Sequence, residues 1–265
     1  PLEVEPEACL KDYNKRHVKP ERQKWFGCAC CPPNVARLLS SIGGYAFEES
    51  PDSLYMNLFV GGKLQTVKDG KENQITVETR YPWAGQIKIT VENKEDSTFA
   101  LALRIPGWCQ SYSLKVNGEV QEYSRNQGYV MLERTWKNGD EVLLVLDMPV
   151  QLVEANPLVR EDLGKVAVTR GPLVYCLEET DNGKNLSAIY LQEDADFAIK
   201  EEPELLKGVV TIETKGKKVS QKGWKGETLY RAYQGKNYEP CSLKFIPYYA
   251  WTNRGVGEMM VWVKI

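Results

Sequence analysis

Three cysteines stand within four positions, Cys28, Cys30 and Cys31, and Pro32, Pro33 and Asn34 follow at once. Thiols grouped in this way can ligate a metal, cycle through a disulfide, or attack an electrophile once ionised. A zinc finger spaces two ligands about two to four residues apart and repeats the pair further along. Here there is no second pair, and His17 is the sole histidine. Cys28 and Cys31 form a Cys-x-x-Cys pair, but the flanking pattern is not a thioredoxin-like βαβ unit. Two readings stay open for the cluster. It is either an activated or zinc-bound thiolate completed by ligands from elsewhere, or a set of small packing residues.

The elements around the cluster bear on that choice. Residues 32–44, PPNVARLLSSIGG, are expected to form a helix, because Val35, Leu38, Leu39 and Ile42 fall on one helical face. Proline suits a first helical turn, and Gly43-Gly44 offers a stop. The cysteines would therefore sit at a helix N-terminus, whose partial positive charge favours a thiolate. Asn34 is placed to orient the helix start, and Arg37 to reach back toward it.

Beyond residue 50 the texture becomes short alternating runs: 53–60, 73–81, 86–93 and 98–106 read as strands. Asn117-Gly118 marks a hairpin, and Asn138-Gly139 precedes a long apolar strand. The alternation weakens over 151–164, a candidate boundary, and resumes at 165–179 around Arg170-Gly171-Pro172. The expectation is antiparallel β-sandwich architecture. Cys109, Cys176 and Cys241 are scattered and read as packing residues. The tryptophans of the strand region read mainly as core or interface residues.

A net charge of −2 points to neither nucleic acid nor an anionic membrane. No apolar run approaches the ~20 residues that span a bilayer. No secretory signal opens the chain; a cytoplasmic location is the expectation carried forward. Pro1 and the loop-like PLEVEPEACL read as a chain entered midway, which suggests a piece of a longer protein.

The segment HVKPERQKWFGCACCPPNVARLLSSIGGYAF resembles the nucleophile segment of glycoside hydrolase family 127, the β-L-arabinofuranosidase family also known as DUF1680. Three further stretches carry the same resemblance in the same order: LYMNLFVGG (54–62), GKVAVTRGPLVYCLEE (164–179) and IPYYAWTNRGVGEMMVWV (246–263). The resemblance implies that residues 1–47 end an (α/α)6 catalytic barrel. It also implies β-sandwiches over 48–153 and 154–265. It makes Cys30 the nucleophile of a retaining glycosidase, Cys30 and Cys31 zinc ligands, and Cys28 structural. The substrate would be an L-arabinofuranose-containing or related glycoside, and zinc the cofactor.

By the same resemblance, the acid/base glutamate and the remaining zinc ligands, a glutamate and a cysteine, belong to the upstream barrel. Glu3, Glu5, Glu7 and Cys9 precede the cluster in a loop-like stretch and are poor substitutes. His17, Tyr13 and Trp25 read as packing or surface residues before substrate contacts. The piece alone is expected to be inactive. A homodimer is expected on family analogy alone. The competing reading is a non-catalytic carbohydrate-binding or assembly module with an inert cysteine cluster. A storage or redox metalloprotein would need more Cys and His.

Overall fold

In the computed structural model, which describes residues 22–24, 30–224 and 228–265, the expected helix forms over Cys31–Ala46 (α1). It runs through Gly43 and Gly44 instead of stopping at them. Each glycine costs about 1 kcal/mol in a helix interior. The far end offsets that cost: Ala46 is buried, and its carbonyl accepts from the N–H groups of Asn57 and Leu58 at 2.8 and 3.3 Å. The anticipated apolar face is present but uncovered by any described residue: Val35, Leu38 and Leu39 are more than half exposed.

The described residues divide into two compact units, 30–149 and 150–265, the second taking 22–24 with it. The first unit contains α1 and two sheets. One sheet orders β1 (Phe47–Glu49), β2 (Ser53–Met56), β6 (Ser97–Arg104), β10 (Tyr129–Trp136) and β9 (Ser124–Asn126). The other orders β3 (Gly62–Lys68), β4 (Lys71–Thr79), β5 (Gln86–Asn93), β11 (Asp140–Leu146), β7 (Tyr112–Val116) and β8 (Glu119–Val120). Alternate residues of both sheets turn to one core. Leu54, Phe99, Leu101, Leu103 and Trp136 come from the first; Ile75, Ile87, Ile89, Val142 and Leu144 come from the second. Trp136 is fully buried, and its indole N–H donates to the Phe99 carbonyl at 3.0 Å. Asn117 and Gly118 both take positive φ, 53° and 82°, the backbone a two-residue hairpin turn requires.

The second unit differs from the expected sandwich. It is one sheet of nine strands. Its members are β12 (Val150–Glu154), β13 (Lys165–Arg170), β14 (Leu173–Glu178), β15 (Ile189–Leu191), β16 (Ala198–Glu202), β17 (Val209–Val219), β18 (Tyr238–Pro247), β19 (Met259–Met260) and β20 (Trp262–Lys264). Six of these close a ring, β13–β20–β15–β17–β18–β14, because β14 hydrogen-bonds back to β13. The tight β13–β14 turn carries Gly171 at φ 56°. The 11-residue β17 crosses both β16 and β15 on one edge, bending the sheet round. At that crossing only glycine fits. A Cβ on Gly216 would lie 2.6 Å from Leu243 Cδ1 and 2.9 Å from the Tyr190 carbonyl oxygen. Val166, Val168, Tyr175, Leu177, Ile189, Ile212, Phe245 and Val263 fill the interior.

The division falls between Pro149 and Val150 rather than after 153, because β12 pairs along its whole length with β13. A short helical turn, Glu179–Asn182 (α2), follows β14. Of the last tryptophans, only Trp251 packs, partly buried, against a core cluster. Trp251 and Trp262 are half-buried, and Trp224 is exposed beneath Arg231.

Candidate functional site

Cys30 and Cys31 open α1, with Cys30 at the cap position and Pro32 and Pro33 in the first turn. Prolines lack the N–H that a helix start would leave unpaired, so the chain turns helical there at little cost. Both thiols are free and exposed, with Sγ atoms 3.7 Å apart. Two thiolates on one tetrahedral zinc at a Zn–S distance of about 2.3 Å would lie about 3.8 Å apart. The pair therefore fits two corners of such a site without rearrangement. Among the described residues, no further Cys, His, Asp or Glu joins them in a metal-holding group. Cys28, His17, Tyr13, Trp25, Cys9, Glu3, Glu5 and Glu7 lie outside the described residues.

The helix start is braced by its own side chains. Asn34 Nδ2 donates to the Cys30 carbonyl at 2.7 Å, and Arg37 Nη2 donates to Asn34 Oδ1. Arg37 thus acts on the cysteines through Asn34, fixing the peptide that joins them. The remaining described cysteines behave as packing atoms. Cys176 is fully buried, and burial pushes its thiol up to about 12, with the Glu178 charge adding to the rise. Cys109 donates to the Ser111 carbonyl at 3.0 Å, and burial raises it also.

The two segments singled out in the second unit, 164–179 and 246–263, meet in space. Arg254 donates to both Glu178 and Asp181, using Nε, Nη1 and Nη2. The other oxygen of Glu178 accepts from the Thr252 N–H at 2.8 Å. Burial pulls the Arg254 guanidinium down, but the two carboxylates outweigh it and hold its pKa above the ordinary value. Every group is satisfied, so the cluster clamps the two segments together. Sequence reasoning missed it. Its signal was there in the spacing of an acidic pair, Glu178 and Asp181, and an arginine flanked by turn residues. Arg22 docks on the same unit, donating to the carbonyls of Trp251 and Tyr249 at 3.2 and 3.3 Å.

Comparison with known proteins places these elements. Residues 53–148 match the middle domain of the glycoside hydrolase 127 family of β-L-arabinofuranosidases. Residues 150–264 match the C-terminal domain of the same family. A non-reducing end β-L-arabinofuranosidase of Bifidobacterium longum subsp. longum is 37% identical over 98% of this chain, and the match spans 40% of that protein. The crystal structure of a family 127 β-L-arabinofuranosidase from Geobacillus stearothermophilus T6 is 48% identical, with a TM-score of 0.90. It covers all of this chain and 41% of the other. A second solved β-arabinofuranosidase of the family is 37% identical, with a TM-score of 0.83, covering 92% of this chain and 40% of its own. The chain thus spans about two-fifths of the length of these relatives. It belongs to glycoside hydrolase family 127 and carries that family's middle and C-terminal domains.

Proposed function

We propose that this chain is the C-terminal portion of a zinc-dependent retaining glycosidase that acts on β-L-arabinofuranosides, with Cys30 as nucleophile and Cys31 as a zinc ligand. The observation that carries this reading is the Cys30–Cys31 pair, 3.7 Å apart at a braced helix start, in a chain whose relatives are β-L-arabinofuranosidases. In the domain scheme, 1–47 closes a helical catalytic barrel. The two sheets between 47 and 149 form a sandwich about one core, and the closed sheet of 150–265 follows it.

The chemistry is a double displacement. The Cys30 thiolate attacks the anomeric carbon, and the leaving oxygen takes a proton from a glutamic acid. Water then attacks the same carbon as that glutamate accepts its proton. The C–S bond breaks, returning the thiolate and leaving the configuration retained. Asn34 and Arg37 hold the Cys30 peptide during both steps. Cys30 and Cys31 would hold zinc, which when bound keeps a coordinating thiol ionised.

Among the described residues, no carboxyl group gathers at the two thiols in a metal-holding cluster. The chain alone is therefore expected to bind zinc weakly and to leave an aryl β-L-arabinofuranoside intact. The test is a zinc titration of the 265-residue chain and its Cys30→Ala variant, alongside that assay. Zinc binding lost in the variant, with no turnover in either, is the expected result. Zinc binding unchanged by Cys30→Ala sinks the ligand role, and turnover by the chain alone sinks its incompleteness.

A further inference from the structure

One rung of the closed sheet crosses four strands on its outer face. Lys165 of β13 stands directly opposite Lys264 of β20, Lys264 pairs with Tyr190 of β15, and Tyr190 pairs with Lys217 of β17. Their neighbours Val166, Val263, Ile189 and Leu191 are buried in the core, so these four side chains point outward. Lys236 adds a fourth ammonium, donating to the Tyr190 hydroxyl at 2.8 Å, and Tyr238 meets the Tyr190 ring edge-on. Like charges directly opposite on a sheet are destabilising. Among the described residues, no carboxylate pairs with Lys264, Lys217 or Lys236. Lys264 settles for the Ser187 carbonyl at 2.6 Å, and Lys165 donates to the Glu161 carbonyl at 2.5 Å with Asp162 at 4.0 Å.

Beside the rung runs a groove of about 580 Å3. Lys165, Lys264 and Ser187 line it together with Trp262 and Tyr248, and Asp162 is its single carboxylate. Tyr248 stacks nearly parallel on Trp251, which holds its ring as a flat wall. Ring faces beside ammonium groups suit a ligand that is a sugar ring on one side and an anion on the other.

We propose that this groove binds a saccharide bearing uronic-acid carboxylates. Trp262 and Tyr248 lie against its sugar rings, and Lys165 and Lys264 take a carboxylate between them. The lysine pair is then relieved of its mutual repulsion by the ligand. The choice of a saccharide among anions rests on the glycosidase reading; the groove itself does not use Cys30, so either can fail alone.

The probe is tri-galacturonate, titrated calorimetrically into the 265-residue chain, with its carboxyl-reduced counterpart and a thymidine oligonucleotide as comparisons. Tri-galacturonate should bind and the reduced sugar should not. Lys264→Met and Trp262→Ala should each weaken binding by at least about tenfold. In the unaltered chain, raising salt toward ~0.15 M should weaken it too, a readout that needs no variant to fold. Several results overturn the proposal: no binding of tri-galacturonate, equal binding of the reduced sugar, affinity indifferent to salt, or a Lys264→Met protein that folds and binds unchanged. The oligonucleotide binding as tightly as the sugar overturns the saccharide assignment.

Discussion

The two units solve the same problem in different ways. Residues 30–149 lay two sheets against one another and leave each with open edges. Three of those four edges are short, three residues in β1 and β9 and two in β8, which limits pairing with other chains; the fourth, β3, runs seven residues. Residues 150–265 bend one sheet until β13 and β14 meet, so six strands have no edge at all. The first unit is held by what faces inward across its core. The second is held by its backbone ring and by a charged clamp at Arg254, with a smaller interior. The lesson is that apolar mass and ring closure are alternative ways to fix a β unit, and each has its own weak point.

Paired truncations give the largest expected effects. Trp136→Ala removes the biggest buried side chain of the first unit and should cost about 3–5 kcal/mol. Arg254→Ala strands the buried Glu178 without its partner and should cost the second unit about 3–5 kcal/mol. Scanning calorimetry should show each variant lowering a different transition. Both variants shifting a single common transition would break the comparison.

A smaller effect tests ring closure directly. Gly216→Ala puts a methyl against Leu243 and the Tyr190 carbonyl and should cost about 1–3 kcal/mol. Hydrogen exchange should quicken at β15 and β18 while the first unit is untouched. Protection unchanged at those strands would mean that the crossing tolerates a side chain and the ring is looser than described.

The smallest effect is alkaline. Burial pushes the Tyr175 phenol and the Cys176 thiol up to about 12, from ordinary values of 10.0 and 9.0. The folded second unit keeps protons that the unfolded chain releases. Its stability is therefore full below about pH 9 and is lost as pH rises toward 12. In the first unit only Tyr112 is pushed as high, again by burial. Denaturant midpoints from about pH 8 to about pH 11 should fall further for the second unit than for the first. Equal slopes would remove this asymmetry.

Strand positions in the first unit were legible in sequence. β5 fell where alternation put it, 86–93, and Asn117-Gly118 announced its turn, because these signals are local. The helix was legible too, but not its end, since Ala46 is fixed by Asn57 and Leu58, residues that no helical pattern includes. The closed ring was not legible. It depends on β14 returning to β13 and on β17 serving two partners, and strands facing either a second sheet or a ring interior show the same alternation. At the cysteine pair, residue types and spacing left a thiolate site and a packing set both open, and the structure supplied the 3.7 Å separation and the Arg37–Asn34 brace. The outer groove escaped notice because Lys165 and Lys264 are far apart in the chain and meet only through strand register.

Ring closure also sets an order of assembly. β20, residues 262–264, is the slat between β13 and β15, and no other strand substitutes for it. A ribosome making this chain has already released both sheets of the first unit when Leu146 emerges. The second unit must wait, its earlier strands already made, until its last residues leave the exit tunnel. For that interval β13 and β15 each present one unpaired edge, so the ring that has no edges when finished is the part most exposed to mispairing while it is being made.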